Sequence, residues 1–144
     1  MAAEAPRQRR ILFLCTHNSA RSQMAEGLLR HLAGDRFEAH SAGTEATSVR
    51  LEAIQAMAEL GVNISSHESK TLERYLDQPF DFVVTVCDDA SEACPFFPGA
   101  NNRLHWSLPD PSRTIGDEEA RLAVFRTVRD EIQSRIEYEL LHRK

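Results

Sequence analysis

Few residues in this 144-residue chain can do covalent chemistry, and three of them are its cysteines, Cys15, Cys87 and Cys94. Cys15 ends the apolar run ILFLC; five small or polar residues, THNSA, separate it from Arg21 and Ser22. A loop that enters a helix turns successive backbone N–H groups inward and makes a nest for anions. The first helical turn adds its positive end, and Arg21 can close the site with two parallel hydrogen bonds to a tetrahedral oxyanion. The same donors favour thiolate over thiol at Cys15. Nucleophile and oxyanion hole would then come from one loop, with Thr16, His17, Asn18, Ser19, Ala20, Arg21 and Ser22 as the substrate-binding set.

Each residue also has a plainer reading. A cysteine ending a buried strand is usually a small hydrophobe, and a single arginine is usually at the surface. The combination of strand, cysteine, five residues, Arg-Ser and helix is what points to chemistry. Asn18 can serve as a turn residue tolerating positive φ or as a brace for the loop. Ser22 can be an N-cap or a donor to the Cys15 sulfur. His17 is assigned to solvent, with no catalytic role.

These residues must be positioned by an alternation of strands and helices. Arg10–Leu14 reads as a strand, Ser22–Leu32 as a helix with Met24, Ala25, Leu28, Leu29 and Leu32 on one face, and Phe37–Ser41 as a second strand ended by Ala42-Gly43. Leu51–Leu60 is a helix stopped by Gly61, and Thr71–Leu76 a short helical turn. Phe82–Cys87 is nearly all β-branched and predicts a strand buried on both faces. Arg103–Ser107 is a shorter fourth strand, and one long amphipathic helix runs from Asp117. This alternation predicts an α/β domain with a parallel sheet and a ligand site beyond the carboxyl ends of the strands. If the strands ending at Cys15 and Cys87 are neighbours, they lie about 4.8 Å apart and both sulfurs share one crevice.

The length fits a single domain, here 10–144 after a tail of 1–9 in which Arg7–Arg10 are expected to be solvated. A net charge of -5 argues against nucleic acid as a partner. No apolar run approaches a membrane span, and ILFLC is too short for a signal-peptide core, so a cytoplasmic location is expected. Thiols stay reduced there, so three cysteines do not imply a disulfide framework. Without a C-x2-C pair or histidines at ligand spacing, no metal is expected.

The stretches CTHNSARSQMAEG (15–27), HSAGT (40–44), VVTVCDDASEACP (83–95) and HWSLPDPS (105–112) together resemble the arsenate reductase branch of the low-molecular-weight protein tyrosine phosphatase superfamily. That resemblance spans about residues 10 to 140. It implies a three-layer sandwich around a four-stranded parallel sheet of order 2-1-3-4. It also implies that Asp110, which by itself reads as a turn residue between two prolines, is the general acid. The loop alone cannot choose between arsenate and phosphate. A phosphatase finishes with water, whereas a reductase must supply two electrons, and the Cys87/Cys94 pair matches the thioredoxin-coupled reductases.

The implied sequence is attack of Cys15 on arsenate, a Cys15–Cys87 disulfide with release of arsenite, then a Cys87–Cys94 disulfide reduced by thioredoxin. The implied protein is a monomer without cofactor, with phosphate or sulfate as competing oxyanions. The alternative is a phosphatase hydrolysing phosphomonoesters through a Cys15 phosphocysteine, although Ser112, Arg113 and Thr114 stand where such enzymes often carry aromatic residues. If residues 88–94 are helical, Cys87 and Cys94 are about 10.5 Å apart along the axis. That exceeds the Cα span of a disulfide, so the segment would have to unwind. Two positions depart from the branch. Leu51 replaces a usual proline, and Lys70 stands where an acidic cluster for a monovalent cation would need a carboxylate, so no such cation site is expected.

Overall fold

The computed structural model describes residues 8–88 and 95–142. Cys94 and the expected helix at 88–94 therefore lie outside the described residues, apart from Asp88. Four strands, β1 (Arg9–Cys15), β2 (Phe37–Gly43), β3 (Phe80–Thr85) and β4 (Ala100–His105), form a parallel sheet in the order β2-β1-β3-β4. The expected order is the observed one. The crossovers carry helices α1 (Arg21–Ala33) and α2 (Leu51–Ala58), and α3 (Glu118–Arg135) continues into a wider π-helical turn, Ile136–Leu141.

The side chains of β1 alternate between the two faces, as period-2 geometry requires. Ile11, Phe13 and Cys15 face the main core with Met24, Leu28, Met57, Phe82, Val84, Trp106, Phe125 and Ile132, which joins all three helices to the sheet. Leu12 and Leu14 face a smaller cluster with Tyr75, Phe80, Val83 and Phe97. The expected turn at Thr71–Leu76 is there as a 3₁₀ turn, Leu72–Tyr75, and helps to cover this second face. No helix among the described residues is long and apolar enough to cross a membrane.

Several boundaries differ from the sequence reading. β1 begins at Arg9, which pairs with Phe37, so part of the expected tail belongs to the sheet. Arg10 is not solvated: its backbone N–H donates to Asp81 Oδ2 at 2.7 Å, and its guanidinium donates to Glu38, the Pro79 carbonyl and Gln78. It also lies 4.5 Å from the Phe80 ring centroid. A basic residue inside a central strand is held by the chains on either side of it. β3 starts two residues early, because Phe80 pairs with Ala100, and it ends at Thr85. Val86 makes one further bond to the Leu14 carbonyl, and Cys87 lies just past the strand. β4 starts at Ala100, and its mostly exposed residues ANNRLH offer no apolar alternation to read. α2 ends at Ala58 with Glu59 as its cap; Gly61, at φ +77°, makes the reversal that lets Val62 N–H reach the Met57 carbonyl.

α2 is fastened to α3 through Glu59, which accepts from Arg126 Nη2 at 2.7 Å and from Arg129 Nη1 at 2.8 Å. Arg126 first, then Arg129, holds the Glu59 carboxyl down from an ordinary 4.5 to about 2. A folded-state value below the unfolded one means that its stabilising share is complete above about pH 4.5 and lost as pH falls toward 2. We therefore expect Glu59→Gln to flatten the acid limb of stability against pH between those limits, measured by urea denaturation. An unchanged slope there would contradict the assignment.

Candidate active site

The loop between β1 and α1 can present its N–H groups to an anion only if its carbonyls are turned away and satisfied elsewhere. All five are. The Thr16 carbonyl accepts from Glu45 N and Thr44 Oγ1, and the His17 carbonyl from Ser69 Oγ and Thr47 Oγ1. The Asn18 carbonyl accepts from Gln23 Nε2, that of Ser19 from Arg50 N, and that of Ala20 from Met24 N. This is the backbone arrangement of an anion nest at a helix start.

Cys15 sits at the base of the loop, 2% exposed. The Asn18 N–H donates to its sulfur at 3.3 Å, and the Ser22 hydroxyl lies 2.8 Å from it. Asn18 Nδ2 donates to Ser22 Oγ at 2.8 Å, which leaves the hydroxyl proton of Ser22 to point at the sulfur. Ser22 is therefore not the N-cap; that position is Ala20, and no side chain caps it. Asn18 fills both expected roles. At φ +50° it is the one non-glycine residue with positive φ among the described residues. Its Oδ1 accepts from Gln23 Nε2 at 2.8 Å and Lys70 N at 2.7 Å, which fixes the orientation of its amide.

Arg21, nearly buried, donates from Nη1 to the Leu108 carbonyl at 3.1 Å, and its Nη2 lies 3.8 Å from Asp110 Oδ2. The other oxygen of Asp110 accepts from Ser112 N at 3.0 Å and Ser112 Oγ at 2.6 Å. The Asp110 turn and the Cys15 loop are thus tied through one guanidinium. Cys87 is fully buried, with its thiol 4.0 Å from the Leu14 carbonyl, at the peptide that leads into Cys15. The strands that end near the two cysteines are neighbours, with Leu14 opposite Thr85. The structure thus gathers Thr16 through Ser22, Cys15, Cys87 and Asp110 at one end of the sheet. His17 is part-exposed, with Nε2 3.5 Å from Glu45.

Behind the loop lies a buried polar cluster that the sequence reading missed. Glu26 of α1 accepts from Ser41 Oγ at 2.7 Å and pairs with Arg30 at 2.9 Å, His67 at 3.3 Å and Lys70 at 3.5 Å. Gln23 spends its amide N–H groups on Asn18 and the Glu68 carbonyl, so its Oε1 accepts from His67 Nδ1 at 3.0 Å, which places the proton on that nitrogen. Burial pushes His67 and Lys70 down, and Glu26 opposes it in both. Lys70, which stands where a cation site would need a carboxylate, directs its ammonium at Glu26 instead. Among the described residues no three His, Cys, Asp or Glu side chains gather as metal ligands would.

Gly43 was read as a strand terminator, but its role is a close approach. A Cβ there would stand 2.6 Å from the Thr16 carbonyl oxygen and 2.9 Å from Asn18 N. The only sequence signal was its place in HSAGT.

Asn18→Ala removes the brace, leaves the buried Lys70 N–H without its acceptor and keeps a strained φ. We expect a loss of about 2–3 kcal/mol in denaturant unfolding, with about tenfold slower alkylation of Cys15 by iodoacetamide. Wild-type reactivity in this variant would show that the loop does not depend on Asn18. Gly43→Ala is expected to slow Cys15 in the same assay, because the loop backbone must move to admit the methyl group.

Comparison with known proteins agrees with this geometry. The low molecular weight phosphotyrosine protein phosphatase profile matches residues 10–143. An arsenate reductase of Halalkalibacterium halodurans is 48% identical over 126 residues, 88% of this chain and 91% of that one. The solved structure of an arsenate reductase in the phosphate binding state superposes with a TM-score of 0.74 at 31% identity, covering 90% of this chain and 95% of that chain. A Corynebacterium glutamicum thioredoxin-dependent arsenate reductase gives a TM-score of 0.68 at 28% identity, covering 97% of this chain and 66% of that one. A cysteine loop of this construction, joined to matches of this extent, means that the chain belongs to the low molecular weight phosphotyrosine protein phosphatase family.

Proposed function

We propose that this protein is an arsenate reductase that draws two electrons from its own thiols. The observation that carries the reading is the second buried thiol, Cys87, lying at the Leu14–Cys15 peptide beside an oxyanion nest. Hydrolysis of a phosphoester has no use for it. The reductases that resemble this chain over most of their length support the same choice.

In the proposed reaction the Cys15 thiolate attacks arsenic, while Arg21 and the loop N–H groups hold the oxygens. Asp110 gives a proton to the departing hydroxyl, which leaves as water. Cys87 then attacks the Cys15 sulfur; the electron pair of the S–As bond stays with arsenic, which leaves as arsenite. The Cys15–Cys87 disulfide passes to Cys87–Cys94 when Cys94 attacks Cys87, which frees Cys15. A dithiol donor such as thioredoxin reduces the last disulfide by exchange; the structural neighbour from Corynebacterium glutamicum is a thioredoxin-dependent arsenate reductase. The scheme needs reduced thiols at the start of each cycle and so places the protein in the cytoplasm.

The phosphatase reading draws on the shared loop. Against it as the main activity, the mouth of the site is lined by His17, Ser19, Thr47, Ser48, Arg50 and Ser112, with no Phe, Tyr or Trp among the described residues there to stack on a phosphotyrosine ring.

One assay separates the two. Arsenate-dependent NADPH oxidation, coupled through thioredoxin and its reductase, is expected for wild type and should fall to background in Cys87→Ser. Hydrolysis of p-nitrophenyl phosphate should survive in that variant, and Asp110→Asn should lower turnover by about 10²–10⁴-fold. Phosphate ester hydrolysis without any arsenate-dependent oxidation would overturn the reductase reading.

A further inference from the structure

Beside the Cys15 loop an open cavity of about 300 Å³ is formed where the loop, the chain entering α2 and the turn after Asp110 meet. Its lining is polar, and among the described residues its one arginine is Arg50. We propose that Arg50 is a specificity-determining residue, the cation that captures small, doubly charged tetrahedral oxyanions at the mouth and passes them to Cys15. This deepens the proposed function and rests on reading the loop as an oxyanion site.

The other basic side chains near the mouth face carboxylates. Arg21 is nearly buried against Asp110, His17 lies 3.5 Å from Glu45, and Arg113 Nε lies 3.9 Å from Asp110 Oδ2. Arg50 differs. Among the described residues its guanidinium makes one long ion pair, Nε to Glu52 at 3.8 Å, and its Nε is buried with no hydrogen-bond partner. Glu52 is itself engaged by Arg121 at 2.6 Å, so it cancels little of the Arg50 field.

Arg50 is also placed for the task. Its backbone N–H donates to the Ser19 carbonyl at 2.9 Å, so the residue is fixed to the nest itself. It stands at the N-cap of α2 without making a side-chain cap, so its guanidinium is not committed to the helix.

Long-range electrostatics make such a residue necessary. A net charge of -5 repels dianions at a distance. At physiological salt, charges act over about 8 Å, so only a cation at the mouth can reverse that repulsion locally. Arg21 binds the anion after it has entered; Arg50 brings it in.

The test uses Cys87→Ser/Cys94→Ser protein, in which Cys15 is the only thiol. It measures how inorganic phosphate protects that thiol from iodoacetamide, an uncharged reagent. Because nothing is reduced, the result does not depend on arsenate turnover. Adding Arg50→Gln is expected to raise the half-protecting phosphate concentration about fivefold at low ionic strength, with the gap closing to less than about twofold in about 1 M KCl. Arg50→Lys should stay within about twofold of the parent, because it keeps the charge. An unchanged half-protecting concentration in Arg50→Gln would overturn the inference, as would a fivefold rise that persists in high salt. Phosphate that fails to protect the Arg50-containing parent would overturn the oxyanion reading of the loop and this inference with it.

Discussion

Five consecutive carbonyls turned outward are the constraint on which this site depends. Each carbonyl from Thr16 to Ala20 that accepts a bond on the outside frees the loop to aim N–H groups at the space above the Cys15 sulfur. The partners come from four separate places: the chain after β2, the entry to α2, Ser69 and the first turn of α1. Most of the fold that looks remote from the chemistry is therefore engaged in holding five peptide groups. Gly43 shows how closely, because even a methyl group at the end of β2 would collide with the loop backbone.

Charge follows the same logic. The overall charge of the protein is negative, so the cations near the loop have to be local and fixed to favour an anion there. Arg21 is fixed by the Leu108 carbonyl and by Asp110, which links the loop to the Asp110 turn. Behind them, Glu26 gathers Arg30, His67 and Lys70 at once, and Lys70 and Gln23 end on the same oxygen of Asn18. Such a cluster gives little net stability for its desolvation. Its effect here is positional: it determines where the Asn18 amide points, and through Ser22 where a proton is aimed at Cys15.

Much of this was legible in the sequence, for identifiable reasons. A strand ending in Cys15, five residues, Arg21 and a helix is a local pattern, and the observed elements follow it within a residue. The sheet order followed from the resemblance, and the neighbouring strands bring the Cys87 thiol to 4.0 Å from the Leu14 carbonyl. β4 was misplaced because an edge strand with exposed ANNRLH carries no period-2 signal. Arg10 was read as solvated because nothing local shows that Glu38, Gln78 and the Pro79 carbonyl surround it. The Glu26 cluster was illegible for the same reason: partners such as Gln23 and His67 lie 44 residues apart and meet only in the folded chain.

The central claim is that one oxyanion nest and two buried thiols act as a unit. It is tested most directly by a single turnover: reduced Cys94→Ser protein mixed with arsenate, without any external reductant, followed by peptide mapping of its disulfides. The account predicts one Cys15–Cys87 disulfide for each arsenite released. Arsenate consumed with no such bond, or Cys15 and Cys87 both recovered as thiols, would contradict it.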